Sequence, residues 1–417
     1  MTRLPAPARR SRPPRRSEIP SSGHARRASG TGSVLGAILD HGPVARSTVA
    51  RLTGLSPASV TGHVAQLLSR GLVRESAETT GPRGLGRPHV PLEIDTSRFL
   101  VAGAHIAVAH STVSLMDLRG RVVAEDRRPH LDTDPRRILD GLAARLPLLT
   151  AAHAAGRQVL ALGFATGHRV DPAAGVVVEH PHLGWRAVPV REILSAATGL
   201  PVHVDSHSRA LARAEQMFGE VSTRRSTVLL FIGAVVDGAF ATSGELHRGP
   251  RSGAGSVAHL PLGSGGSGDA EPCSCGRTGC LQSEVSERAM IRRAAAQSLY
   301  VSTFQELLDH AMAGEPRAVA LFRRRARLVG RAAALLLDMF DPECLVVVEP
   351  GAGRLPECLA DLREEVGARS SVCDDPERAV VPSSFTGSVL ATAGGAVALG
   401  ALYDDPLGSW PALPAVS

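Results

Sequence analysis

Thr53-Gly54-Leu55-Ser56-Pro57-Ala58-Ser59-Val60-Thr61-Gly62-His63-Val64-Ala65-Gln66-Leu67-Leu68 is the stretch whose reading decides the fold of the first part of the chain. Thr53-Gly54-Leu55 makes a tight turn. Ser56 stands where a hydroxyl caps a helix, accepting one of the amides that the first turn leaves orphaned. Pro57 follows at the first helical position, where a missing N–H costs nothing. Val60, Val64, Leu67 and Leu68 recur at helical spacing and form a buried face. The other face carries Ala58, Ser59, Thr61, Gly62, His63 and Gln66. These residues are small or hydrogen-bonding, so a helix bearing them can approach the edges of base pairs.

Upstream, Val34, Leu35, Ile38 and Leu39 form a second helical stripe, ended by His41-Gly42-Pro43. Arg46 to Leu52 reads as a short helix with Val49, Ala50 and Leu52 turned inward. Downstream, Leu72-Val73-Arg74 and Val90-Pro91-Leu92-Glu93-Ile94 read as two strands joined by the loop Gly81 to Pro88. Three short helices and a two-stranded wing make the plan of a winged helix-turn-helix domain over residues 31–95, its third helix entering the major groove of a double-stranded DNA operator. The wing tip, Gly84-Leu85-Gly86-Arg87-Pro88, holds Arg87 between glycine and proline, which suits a narrow minor groove. A plain basic surface loop is the alternative. Arg46, Arg51, Arg70 and Arg74 are expected to touch phosphate or to form a solvated face. Residues 1–30 are rich in Pro, Ser and Arg, with Glu18 as the only acid, and cannot bury an apolar face. They are expected to be a disordered tail, either merely solvated or lying along phosphate as a basic arm.

The whole chain fits this picture. Its 417 residues exceed one compact core, and 43% hydrophobic content supports ordinary globular cores. Net charge is +6 and the sequence pI is about 9.5, a balance that favours a polyanionic partner. No lysine occurs, which excludes a lysine-dependent phosphate loop and Schiff-base or pyridoxal chemistry. No apolar run is long enough to span a membrane, and none follows the N-terminal arginines as in a secretory signal, so the expected location is the cytoplasm, on the nucleoid. Six cysteines in so long a chain do not read as a disulfide scaffold.

After residue 98 the pattern changes. Phe99 to His110 and Thr112 to Asp117 are strand-like, Pro135 to Ala155 is helical, and Val159 to Ala165 and Val202 to Val204 are short strands. Ser208 to Gly219 is a helix, Val228 to Ile232 a strand, and Pro316 to Phe340 a long helix leading into Leu345 to Val348. Alternation of this kind predicts an α/β architecture. Within it, Cys273, Cys275 and Cys280 lie within eight residues, separated by Gly276 and Gly279. Thiolates so dense usually hold Zn²⁺ tetrahedrally, with glycines allowing the sharp turn. A redox or disulfide cluster is the alternative. Cys344, Cys358 and Cys373 read as ordinary thiols.

The run from Leu35 to Leu92, with its Thr53-Gly54-Leu55-Ser56 turn and Gly86-Arg87-Pro88 wing, resembles the regulators of the ROK family (repressors, open reading frames, kinases). The likeness continues through Asp117-Leu118-Arg119-Gly120, Gly244-Glu245-Leu246-His247-Arg248-Gly249, Ala258-His259 and Cys273-Ser274-Cys275-Gly276-Arg277-Thr278-Gly279-Cys280, and covers roughly residues 33–400. It implies a two-lobed, actin/ribonuclease-H-like domain of sugar-kinase type over residues 99–405, a C-terminal tail over 406–417, and a homodimer or homotetramer. It also implies His259 as the fourth ligand of a closed, structural zinc site.

The same resemblance implies that kinase chemistry is lost. The Asp and Gly-Gly-Thr of the kinases' first phosphate turn fall on His105 and Ala107-Val108-Ala109, and the second phosphate loop reads Gly233-Ala234-Val235-Val236-Asp237-Gly238. The catalytic Asn-Asp pair falls on Ser206-His207, with Asp205 offset by two positions from the base. Two sugar-binding glutamates fall on Ser256 and Gln282. A pocket of Ser206, His207, Ser256, His259 and Gln282 is expected either to take a sugar or related metabolite as effector or to be vestigial. The reading is a DNA-binding transcriptional regulator, a repressor, without enzymatic activity. The alternatives are a sugar kinase with an appended DNA-binding domain and an effector-independent DNA-binding dimer.

Overall fold

The computed structural model describes residues 29–76, 90–220, 225–262, 271–408 and 410. The 1–28 tail and the wing tip with Arg87 lie outside the described residues.

The first unit is built from α1 (Gly30–His41), α2 (Arg46–Thr53), α3 (Pro57–Ser69) and the antiparallel pair β1 (Val73–Glu75) and β2 (Leu92–Ile94). Ser29 caps α1 and Ser56 caps α3, each accepting an amide of the first turn. Val44 adds a bridge to Leu92, so the chain between α1 and α2 is tied to the strand pair. Val34, Leu35, Ile38, Val49, Val60, Val64 and Leu67 are buried as their spacing demands. Leu52 is not: it remains 41% exposed, because α2 is two turns long and Gly54, in a left-handed conformation, carries the chain away. Helix α1 also starts before its apolar stripe. Gly30 and Gly32 are weak helix formers, but Gly32 lies so close to the backbone of Tyr403 that an added Cβ would meet its oxygen at 2.4 Å. Tertiary packing overrides propensity there.

The next unit opens with a meander, β3 (Phe99–Ile106), β4 (His110–Asp117) and β5 (Val122–Pro129), followed by α4 (Pro135–His153) and β6 (Gln158–Thr166). A small sheet of β7 (Arg169–Asp171), β8 (Val176–His180) and β9 (Trp185–Val188) leads to α5 (Val190–Thr198), β10 (Val202–Ser206) and α6 (His207–Phe218). The sheet order is β10-β6-β3-β4-β5, antiparallel through the meander and parallel beyond it.

The second lobe repeats the plan. Its meander is β11 (Thr227–Ile232), β12 (Val236–Thr242) and β13 (Glu245–Leu246). Then come α7 (Leu281–Val285), α8 (Glu287–Ala296), α9 (Phe304–Met312), α10 (Pro316–Phe340), β14 (Cys344–Val348), α11 (Pro350–Arg354), α12 (Pro356–Arg369), α13 (Pro376–Ala379) and β15 (Val380–Pro382). Its order, β13-β12-β11-β14-β15, puts first, second and third strands antiparallel and adds two parallel ones, as in the first lobe. The expected α/β architecture is therefore two copies of one sheet topology.

The last helix, α14 (Val389–Asp404), returns across the first lobe. Glycines allow this: a Cβ on Gly163 would sit 2.2 Å from the Gly394 oxygen, and one on Gly103 would sit 2.5 Å from the Gly395 nitrogen. The far end of α14 meets α1. Leu399, Leu402 and Tyr403 share one buried cluster with Val34, Leu35, Ile38, Met116 and Leu118, so the three-helix unit is continuous with the first lobe's core. Pro406 is buried, Leu407 accepts from Arg70, and Trp410 packs on the same cluster, so the start of the expected tail folds back.

Candidate functional site

The helix face predicted to read DNA lies on α3. Ser56, Ala58, Ser59, Thr61, Gly62 and Gln66 are exposed, and side chains above Val60, Val64 and Leu67 stand clear of the bundle. Ser56 and Ser59 hydroxyls pair at 2.9 Å, and Thr61 Oγ1 donates to the Pro57 carbonyl. His63 departs from expectation. It is half-buried, bonds Thr31 Oγ1 through Nδ1 at 2.9 Å, and rests on Gly30, so it fastens α3 to α1 and does not join the open face. Among the arginines, Arg51 is exposed, Arg46 pairs with Glu75 at 2.8 Å, and Arg74 pairs with Glu93 at 2.9 Å. Exposed pairs of this kind are weak and exchange readily for phosphate.

The cysteine motif folds into a knuckle. Gly276 and Gly279 take φ of 85° and 67°, values that L side chains avoid, and let the chain double back between the sulfurs. The ligand atoms of His259, Cys273, Cys275 and Cys280 lie within 4.8 Å of one another. His259 Nδ1 is 3.4 Å from Cys273 Sγ, and Cys275 Sγ is 3.6 Å from Cys280 Sγ. Tetrahedral Zn²⁺ with bonds of about 2.1 Å to nitrogen and 2.3 Å to sulfur spaces its ligands at about 3.6 and 3.8 Å, so the donor set fits. Arg277 Nε donates to Cys275 Sγ and draws that thiol down to about 6, while burial pushes Cys280 up to about 12. His259 thus stands with the three cysteines in one candidate ligand set.

The remaining pocket residues are used differently than predicted. Gln282 accepts the Val236 amide through Oε1 at 2.7 Å and donates to the Ala234 carbonyl at 2.9 Å. Both polar atoms of its side chain are thus engaged in bracing the β11–β12 turn. Ser206 caps α6 by accepting from Arg209 N, and Asp205 is held by Arg209 Nε at 2.6 Å. Ser256 is exposed.

Around His105, His207 and Asp237 lies a nest of histidines. His105 Nε2 lies 3.4 Å from His207 Nδ1, with the rings parallel within 7°. His207 Nε2 lies 3.2 Å from Asp237 Oδ2 but off the line of a good hydrogen bond. The His168 amide donates to the same carboxylate oxygen at 2.8 Å. The His168 ring lies 4.7 Å from that of His180 and 5.2 Å from that of His182. Burial is the main cause that lowers His168 to about 4 and His180 to about 3, and it drives His105 well below its ordinary value. Burial would raise Asp237, but His207 and His168 outweigh it and hold the carboxyl below its usual range. The alignment of phosphate-loop positions picked out His105, His207 and Asp237. It missed His168, His180 and His182, whose signal is the Glu179-His180-Pro181-His182 tract and the histidine after Gly167.

With this geometry in hand, the class of protein is clear: residues 101–401 match the ROK family, and the chain belongs to it. It is 34% identical over 406 residues to a transcriptional regulator of Mycobacterium tuberculosis, spanning 91% of this chain and 87% of that one. It is 25% identical over 332 residues to the dual regulator NagC of Escherichia coli, covering 76% and 78% of the two chains. A crystal structure of a ROK family transcriptional regulator, a homologue of the E. coli Mlc protein, superposes with TM-score 0.75 at 22% identity over 90% of this chain and 96% of that one. A ROK family glucokinase from Streptomyces griseus superposes with TM-score 0.60 at 23% identity, over 72% and 98%. These two likenesses establish the sugar-kinase-like fold. Among the described residues, no helix is long and apolar enough to cross a membrane.

Proposed function

We propose that this chain is a DNA-binding transcriptional repressor whose ROK domain has lost phosphoryl transfer. Residues 31–95 are its winged helix-turn-helix domain, residues 99–405 its two-lobed ROK domain, and it acts on double-stranded DNA as a homodimer or homotetramer in the cytoplasm. The observation that carries the reading is the capped α3, with its exposed row of Ala58, Ser59, Thr61, Gly62 and Gln66, mounted on a trihelical bundle that shares a core with a ROK lobe. The small side chains let the helix backbone approach the groove floor, while Ser59 and Gln66 offer base-edge hydrogen bonds. Arg51, Arg46 and Arg74 stand where phosphates would pass, and Arg87 at the wing tip supplies the minor-groove contact.

Phosphoryl transfer needs a held nucleotide and a base near the acceptor hydroxyl. Here the base position is His207, stacked on His105, and Asp237 brings a carboxylate into the second phosphate loop. The His259, Cys273, Cys275 and Cys280 set fits one structural zinc ion, which when bound ties the knuckle to the segment carrying His259.

Relatives named as N-acetylglucosamine and xylose repressors support a sugar or related metabolite as effector. The engagement of Gln282 and Ser206 within the fold favours the second reading, an effector-independent DNA-binding dimer. Thermal shift across a sugar panel separates the two, since only a sensor gains stability with ligand. The main test is operator protection. Full-length protein is expected to protect a selected DNA site, and a chain lacking residues 1–95 to protect none. Arg87→Ala is expected to cost about 1–3 kcal/mol of specific binding. Protection by the truncated chain would overturn the reading.

A further inference from the structure

The histidine nest enters the reading above only as changed kinase positions, and it lies where the two lobes meet. His105 comes from β3, His168 from the chain after β6, His180 from β8 and His207 from the head of α6. The His207 ring and the His168 amide meet Asp237 of β12, His105 lies against His207 and His180 against His168, while Phe231 of β11 packs on the His207 ring at 4.2 Å. The first lobe therefore touches the second through imidazoles as well as through the apolar cluster in which Ala210 and Leu211 of α6 meet Leu229, Ala239 and Val346. We infer that this nest is an acid-sensitive latch: neutral His105, His168 and His180 let the lobes close around Asp237, and proton uptake by them opens the lobes and shifts the three-helix unit that α6 and α14 support.

Three observations carry this. The first is that the nest is short of acceptors. His105 Nδ1, His168 Nε2 and both nitrogens of His180 are buried without a partner. A proton added there gains no hydrogen-bonded counterion, and Asp237 is already shared by the His168 amide and His207. The groups facing the nest do not offset a new charge. Arg127 of β5 and His110 of β4 face His105, and Arg288 of α8 faces His182. Against these, among the described residues, stand Glu179 of β8, facing His168, and Asp237, facing His168 and His182.

The second is crowding. The His168 and His180 rings, 4.7 Å apart, pack well when neutral and repel when both are charged. Burial holds His105, His168 and His180 unprotonated at neutral pH, in keeping with the closed form.

The third is the path outward. Helix α6 runs from His207 to Phe218, which packs on Gly120 and edge-on against Tyr403. Tyr403 Oη donates to the Leu118 carbonyl at 2.8 Å, Arg213 pairs with Asp404 at 2.5 Å, and the Asp404 carbonyl accepts from Ser29 N at the cap of α1. A displacement of the head of α6 thus has a packed route to the DNA-binding unit.

The sign follows from linkage. An imidazole buried neutral and released to solvent takes up a proton below its ordinary value near 6.5. At pH 5.5 each one released therefore favours the open form about tenfold. Generic electrostatics predicts the reverse, because protonating surface histidines strengthens DNA binding.

The consequence for DNA rests on the proposed function, so the test has two arms on full-length protein at constant ionic strength. Hydrogen exchange of amides 207–218, corrected for the chemical rate, is expected to rise at least tenfold between pH 7.5 and 5.5. Affinity for a selected operator is expected to fall at least tenfold over the same range. His105→Gln with His180→Gln should flatten both responses, and His182→Gln at the nest's rim, a milder change, should reduce them if the double variant does not fold. Unchanged exchange in the parent protein, or a parental pH response in the variants, would overturn the latch. Exchange that responds in a protein that binds no DNA at any pH would leave the latch standing and sink the repressor reading.

Discussion

The cysteine knuckle and the histidine nest are both clusters of metal- and proton-binding side chains, and they are built in opposite ways. Three knuckle ligands lie between residues 273 and 280, and two glycines in left-handed conformations bend the chain so that all four ligand atoms fall within 4.8 Å. The nest draws on residues from 105 to 237, and among the described residues its nitrogens form no comparable ligand set. Local chain geometry aims the sulfurs at a common point. In the nest, strands and helices chosen by apolar packing bring rings together, and several nitrogens are left without partners. A site built locally is suited to hold an ion for stability; one built by tertiary packing is suited to feel the relative position of the parts that built it.

The largest effect that would break this comparison is catalytic. If the nest were a working active site, a coupled ADP-release assay over hexoses and N-acetylhexosamines would show turnover that vanishes in His207→Ala. The expected outcome is no turnover and no saturable binding of a non-hydrolysable ATP analogue by calorimetry, because phosphate positioning and base catalysis each contribute large rate factors and the proposed function lacks both. His207→Asp is expected not to recover activity.

Next comes the metal. Purified protein should hold one zinc per chain, and Cys275→Ser should lower that content and destabilise the knuckle by more than about 4 kcal/mol, the scale of a lost structural metal. Metal-free protein that melts unchanged would show that the knuckle stands without its ion.

The nest predicts a graded acid response. Histidines buried neutral stabilise the fold fully above about pH 6.5 and progressively less as pH falls toward 4, because the unfolded chain binds protons that the native one refuses. Each contributes up to about 1.4 kcal/mol per pH unit over that window. Urea unfolding at pH 7.5, 6 and 5 should show the loss, and a flat profile would remove the nest from the account. The smallest effect sharpens the point. His180 is fully buried with both nitrogens unpartnered, so His180→Leu should change stability at pH 7.5 by less than about 1 kcal/mol, toward greater stability, while reducing the acid response.

Legibility followed the same divide. The capped α3, the knuckle and most strands could be read in order along the chain, because each depends on neighbours within a turn or a few residues. Ser56-Pro57 and the Cys-x-Cys spacing name their own geometry. His63 and Gln282 misled for a common reason. Each has a polar side chain of suitable type at a suitable position, but Thr31 and the β11–β12 turn, distant in sequence, claim it first. Leu52 misled because periodicity predicts which side a residue takes and says nothing of whether a neighbouring element covers it.

By itself, then, the sequence determined the three-helix unit, the α/β alternation and the cysteine triplet, since all of these are matters of residue type and short-range spacing, while the changed phosphate-handling positions were read through the family resemblance. Tertiary structure alone decided that the two lobes repeat one sheet order, that α14 returns between close-packed glycines to meet α1, and that histidines from four segments gather around Asp237. Those outcomes depend on which apolar faces find each other across long stretches of chain, and a polar side chain's partner is settled only after that packing is complete.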